Sequence, residues 1–143
     1  MSDLTERVVA GMLARDEFSR WLGVELVEVA SGRCALRMRV RGDMVNGFGV
    51  AHGGIAFSLA DSAMAFACND STNVTVAVDN SIAYPAAIRV DDELVAMAER
   101  ETSSRKLAYY RVTVRRQDGE TVALFRGTVY RTAQQHPIEQ GHD

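Results

Sequence analysis

Asn46-Gly-Phe-Gly-Val-Ala-His-Gly-Gly54 runs straight into Ile55-Ala-Phe-Ser-Leu-Ala-Asp61-Ser-Ala-Met-Ala-Phe-Ala-Cys68. A glycine-rich turn thus feeds a helix that is apolar on nearly every face. A helix start carries unpaired backbone N–H groups and a partial positive charge. A carboxylate on an otherwise buried helix is costly unless it has work to do. The glycine turn and Asp61 together point to an oxyanion site and to an acid–base or nucleophilic carboxylate.

Outward from this stretch, the chain reads as helix, two strands, long loop, buried helix, then four strands. Residues 1–22 carry an N-terminal amphipathic helix, with Leu4, Val8, Met12, Leu13, Phe18, Trp21 and Leu22 at helical spacing and Gly23 as its stop. Gly11 weakens the case for one unbroken helix. Strands are expected over 24–29 and 34–40, the second with Cys34, Leu36, Met38 and Val40 on one face. Further strands are expected over 73–84, 93–101, 108–116 and 121–131, with Pro85 closing the first and Asp118-Gly119 marking a hairpin. The main domain therefore spans 23–131, and 132–143 reads as a flexible polar tail. Late strands joined by tight turns favour an antiparallel sheet and an α+β fold. One sheet around one helix leaves edges and a face uncovered, which self-association would cover.

The bulk properties narrow the function classes. The 143 residues suit one domain, and 47% hydrophobic with 24% charged residues is a globular composition. A net charge of −3 argues against nucleic-acid binding by bulk electrostatics. No run is long and apolar enough to span a bilayer, because Ser58, Asp61 and Ser62 interrupt the buried helix. The first seven residues lack a signal-peptide layout, so a cytoplasmic protein is expected. Cys34 and Cys68 form no ligand pattern and read as reduced core cysteines, and His136 and His142 in the tail make no metal site.

Spacing also constrains the site. Asp61 lies eight residues beyond Gly53, which is ~12 Å along a helix axis. A carbonyl held by the Gly53 N–H is therefore out of reach of the same chain's Asp61, since reacting atoms must come within about 3 Å. The two groups converge only if a second, antiparallel copy of the helix lies alongside. An enzyme of this kind is at least a dimer with two composite sites.

The segment Asn46-Gly-x-Gly-x-x-His52-Gly-Gly54 followed by Asp61 resembles the active-site segment of hotdog-fold acyl-CoA thioesterases of the phenylacetate-pathway (PaaI-like) type. Thr121 to Thr128 is similar to that family's last strand. The resemblance covers roughly residues 20–131. It implies an antiparallel sheet wrapped around one long central helix, and hydrolysis of acyl-CoA thioesters, aryl or arylacetyl, to free acid and coenzyme A. It implies that the Gly53 N–H polarises the thioester carbonyl and that Asp61 of a second copy attacks it or activates water. Asn46 and His52 would hold the turn and the thioester, and Ser62 would orient the carboxylate or a water. Gly54, Arg105, Lys106 and Arg126 are candidates for substrate and coenzyme A contacts. No cofactor or metal is called for, and the expected partners are the substrate and further copies of the chain, a dimer at minimum and a tetramer through the outer sheet face. The chain departs from the pattern at Ile82-Ala-Tyr-Pro85, where relatives often carry arginine before the proline.

Blander roles compete. Asp61 alone reads as a buried acid bonded to hydroxyls such as Ser58, His52 as a helix cap, Arg105-Lys106 as a solvated pair, and Arg126 as the partner of an acid on a neighbouring strand. Two other functions also remain open: a non-catalytic acyl-CoA-binding protein, and an enoyl-thioester hydratase for which His52 is the candidate base.

Overall fold

The computed structural model describes residues 2–138. Its elements are α1 (Ser2–Arg15), α2 (Glu17–Leu22), β1 (Glu25–Ala30), β2 (Arg33–Arg39), a 3-10 turn (Gly42–Met44), α3 (Gly53–Cys68), β3 (Asn73–Ala83), β4 (Glu93–Ser103), β5 (Leu107–Arg116) and β6 (Thr121–Gln135). The strands form one sheet in the order β1-β2-β4-β5-β6-β3, and every pairing is antiparallel. α3 packs against all six strands. This is the hotdog arrangement that the resemblance implied.

The composition of α3 explains its place. Ala56, Ala60, Ala63 and Ala67 let the strands come close, and Leu59, Met64 and Phe66 fill the gaps between them. Full burial of one such large side chain stabilises by about 1.5–3 kcal/mol. Leu36 and Met38 from β2, Leu94 and Ala96 from β4, Tyr110 and Val112 from β5 and Phe125 from β6 meet the helix as the opposing wall of the same core. Phe125 receives the ring of Phe57 edge-on, with centroids 5.4 Å apart. The other sheet face carries the charges: Arg33 pairs with Glu99 at 2.9 Å and Glu28 at 3.2 Å. These pairs are half exposed, so each adds about 0–1 kcal/mol.

Two expectations need correction. The N-terminal helix is broken, and the break falls at Asp16 rather than Gly11. Asp16 caps α2, accepting from the Ser19 N–H at 2.9 Å and the Ser19 hydroxyl at 2.6 Å. A side chain that bonds its own downstream backbone competes with continued helix. Gly23 ends α2 in the left-handed region, at φ +80°. At the other terminus, β6 continues through Gln135, beyond the expected strand end at Arg131. The Thr132 hydroxyl donates to the Val74 carbonyl at 2.6 Å, and the Asn73 amide donates to the Thr132 carbonyl at 2.9 Å. His136, placed in the flexible tail by the sequence, bonds through Nε2 to Asn69 Oδ1 at 2.8 Å, whereas His142 lies outside the described residues.

β3 is an edge strand, paired on one side by β6 and open on the other. It leaves Val76 and Val78 exposed, the latter at 57%. A register shift between Ala77 and Asp79 bulges Val78 outward. Side chains alternate faces with a period of two, so the bulge lets Thr75 be buried before it while Asn80 and Ile82 turn to the helix after it.

Candidate active site

The loop between the 3-10 turn and α3 is built by its own side chains. Asn46 Oδ1 accepts from the Phe48 N–H at 2.9 Å, and its backbone pairs with Val50 and Gly49. Gly49 sits at φ +78°, a conformation that favours glycine. Phe48 is left 91% exposed at the loop tip. His52 is the N-cap of α3: its Nδ1 accepts from the Gly54 N–H at 2.9 Å. The N–H of Gly54 is thereby engaged within the chain and not offered to a ligand. The neighbouring Gly53 N–H has no hydrogen-bond partner among the described residues. It is the donor that this helix start leaves open.

Tyr84 holds that donor in place, and sequence reasoning passed it over. Its hydroxyl donates to the Gly53 carbonyl at 2.7 Å. A Cβ on Gly53 would lie 3.1 Å from the Tyr84 hydroxyl oxygen, so the ring sits tightly against the glycine. Tyr84 occupies the position before Pro85 where the resemblance called for arginine. His52, Gly53, Ala56, Tyr84, Pro85 and Ile88 line a cleft of about 330 Å³.

Asp61 opens into a different cleft, of about 310 Å³, between α3 and β3. Met12, Met64, Ala65, Val74 and Val76 give it apolar walls, with His136 at its border. Asn80 on β3 donates through Nδ2 to Asp61 Oδ1 at 3.2 Å. Burial pushes the Asp61 carboxyl above the ordinary aspartate value, the Asn80 amide pulls it back, and the carboxylate of Asp16 adds to the rise. Were Asp61 to act as base or nucleophile, its reactive form would be the carboxylate, and activity should rise with pH through a value above the ordinary ~3.9 of aspartate. A pH–rate profile measures this, and an acid limb at or below the ordinary value would contradict it. Stability has the opposite sign. A raised folded-state pKa means that Asp61 favours the fold at low pH, and this contribution is lost as pH rises from the ordinary value through the raised one.

Gly127 on β6 makes this corner possible. It pairs with Asn80 across the strands, and a Cβ there would collide with the Met64 thioether and lie 2.8 Å from Asn80 Oδ1. Gly127→Ala is expected to destabilise the protein by about 1–3 kcal/mol, the scale of overpacking a filled core. Urea denaturation would show this as a lower midpoint, and an unchanged midpoint would mean that Met64 yields freely.

The remaining sequence candidates fall elsewhere. The Ser62 hydroxyl is 2.7 Å from that of Ser19, which in turn donates to Asp16. It ties α3 to α2 and does not orient Asp61 within the chain, because one turn of α2 reaches it first. Arg126 lies on the outer face of β6 and pairs with Glu101 at 3.1 Å, still 69% exposed. Arg105 and Lys106 form the exposed β4–β5 turn beside Cys68, at the end of α3 away from Gly53. The structure therefore groups Asn46, His52, Gly53 and Gly54 at one end of α3 and leaves Asp61 with Asn80 at its middle.

A family model described as the thioesterase superfamily matches residues 48–123, from the exposed loop tip through α3 to β6. The chain belongs to the thioesterase superfamily. This thioesterase is 33% identical over 120 residues to acyl-coenzyme A thioesterase PaaI of Escherichia coli, covering 84% of this chain and 86% of that one. It is 29% identical over 132 residues to human acyl-coenzyme A thioesterase 13, covering 90% and 94%. The solved E. coli PaaI protein, from the phenylacetic acid degradation operon, superposes with a TM-score of 0.91 at 30% identity, covering 94% of this chain and 97% of that one. A Streptococcus pneumoniae thioesterase protein solved with coenzyme A superposes at 0.74 with 26% identity, covering 78% and 88%. The PaaI-like kinship read from the glycine–histidine–aspartate segment holds.

Proposed function

We propose that this thioesterase hydrolyses acyl-coenzyme A, with an aryl or arylacetyl group, at two composite sites of a homodimer. The observation that carries the reading is the separation of its two reactive groups. The open Gly53 N–H and the buried-side carboxylate of Asp61 face different clefts of one chain, eight residues apart on one rigid helix. The unpaired edge of β3, with exposed Val76 and Val78, offers a surface on which a second copy can bring its α3 alongside in the opposite direction.

In such a site the Gly53 N–H donates to the thioester oxygen and stabilises the negative charge that develops there. Asp61 of the second copy attacks the carbonyl carbon or takes a proton from an attacking water. In either course the carbon–sulfur bond breaks and the thiolate of coenzyme A leaves. Where water attacks, the acid forms directly; where Asp61 attacks, water then cleaves the acyl–aspartyl anhydride to release the acid and restore the carboxylate. Asn46 and His52 shape the donor turn. Coenzyme A as the handle is supported by the coenzyme A complex of the S. pneumoniae protein, and an arylacetyl group by the operon of the E. coli one. The charged outer sheet face is the surface for pairing dimers into a tetramer. His52 spends Nδ1 on the Gly54 N–H, which disfavours it as the base of a hydratase.

Release of free thiol from phenylacetyl-CoA tests the reading, with palmitoyl-CoA as the comparison. Turnover of the first over the second is expected. Binding without thiol release would make the protein a non-catalytic binder. In the same assay, Arg126→Ala and the pair Arg105→Ala/Lys106→Ala should raise KM with kcat unchanged if they hold phosphates, since such contacts are equal in ground and transition states. Equal losses on a short thioester without the nucleotide would assign these residues to packing instead.

A further inference from the structure

Among the described residues the Asp61 carboxylate receives one hydrogen bond, and its donor stands where strand patterning calls for an apolar residue. We propose that Asn80 is the positioning residue of Asp61: its amide fixes one carboxylate oxygen and leaves the other free for the thioester chemistry. The inference rests on Asp61 being the reactive carboxylate, as proposed above.

Four observations carry it. Asn80 Nδ2 reaches Asp61 Oδ1 at 3.2 Å, and Oδ2 accepts no hydrogen bond among the described residues. The amide pays for this contact: Asn80 Oδ1 is buried without a hydrogen-bond partner among the described residues. A leucine would avoid that cost, because an unpaired buried carbonyl destabilises and an apolar side chain does not. The atom is enclosed within one protomer, so a second copy cannot readily supply the missing partner. Gly127, opposite on β6, clears the space in which both Asn80 and Met64 sit beneath the helix. The bulge at Val78 turns Asn80 inward in the first place. Backbone, neighbour and side chain are thus all arranged around one contact to Asp61.

The amide also selects a protonation state. An N–H donor favours the ionised carboxylate. The flipped amide would set its carbonyl against the carboxylate oxygen and be favourable only toward the protonated acid. The other ionisable groups around Asp61 give no such help. Asp16 at the α1–α2 junction repels it, the Cys68 thiol lies further along α3, and His136 at the end of β6 borders the same cleft. Among the described residues, Asn80 is the group that pulls toward the charged form.

The test is Asn80→Leu, which keeps the branched skeleton with bulkier methyl ends and has no donor, assayed for thiol release across pH. The expected result is a kcat lower by about ten- to a hundredfold, the range a hydrogen bond to a charged group carries, with KM within twofold. The acid limb of the profile should move to higher pH, a readout that a change of packing alone would not produce. In the Asp61→Asn background the same change should cost nothing more. An unmoved acid limb would overturn the inference, as would an equal loss in the Asp61→Asn background. Asn80→Ser, smaller and too short to reach, repeats the test should leucine prevent folding. If Asp61→Asn itself keeps its activity, the reading of the site fails first. If that variant is inactive and Asn80→Leu behaves as wild type, the assignment of Asn80 alone is wrong.

Discussion

Asp61→Asn lowers thioester hydrolysis at least ~10²-fold, the loss expected when a positioned acid–base group is removed. The substitution keeps the shape of the side chain and its place against Asn80. It removes the carboxylate proposed as nucleophile or base and keeps the contacts of the helix around it. Burial disfavours the charged form of the wild-type carboxylate. The variant should therefore be as stable as wild type or more so. Turnover within threefold of wild type would remove Asp61 from the mechanism. A sharply lower melting temperature would make it a structural residue. The two readouts separate chemistry from folding in one protein.

Two inactive chains should rescue each other. One carries Asp61→Asn. The other carries Gly53→Pro, which deletes the N–H at the first helical position, where proline's fixed φ suits the helix. The Tyr84 ring must yield slightly, since an added Cβ meets its hydroxyl oxygen at 3.1 Å. Each mixed dimer then holds one site with both groups and one with neither. At equal mixing half of the dimers are mixed, so roughly a quarter of wild-type activity returns. Co-expressed mixed dimers as inactive as their parents would refute the cross-subunit site. The melting temperature of the Gly53→Pro parent, measured alone, shows whether its turn has survived.

The elements of the fold were legible because their patterns are local. The all-round apolar run of α3, the alternation of β2 and the Asp118-Gly119 turn each state their structure within a few residues. The break at Asp16 was missed because an aspartate followed three residues later by a serine also fits an unbroken helix surface. Asn46, His52, Gly53 and Asp61 were legible for a similar reason: one short segment contains them all. Tyr84 and Asn80 were not, because each acts on a residue far away in sequence. A signal for Asn80 did exist. Val74, Val76, Val78 and Ile82 share its parity, and an amide interrupting such a run is out of place. The period-two reading would still have misjudged the valines, because the bulge at Val78 moves the pattern to the other face. Ser62 misled for the opposite reason. Its position next to Asp61 suggested partnership, while successive helix residues point in different directions and Ser19 takes its hydroxyl.

The pairing of β3 with β6 has a consequence for synthesis. Asp61 and the whole of its helix leave the ribosome long before Gly127, which lies opposite Asn80. At ~5–20 residues per second the interval is on the order of several seconds. During that time the carboxylate, the greasy helix and the Val76–Val78 edge exist without the strand that seats them. A nascent chain stopped short of β6 therefore displays most of the recognition segment but has no formed corner around Asp61. β6 thus closes the corner that the first half of the chain began.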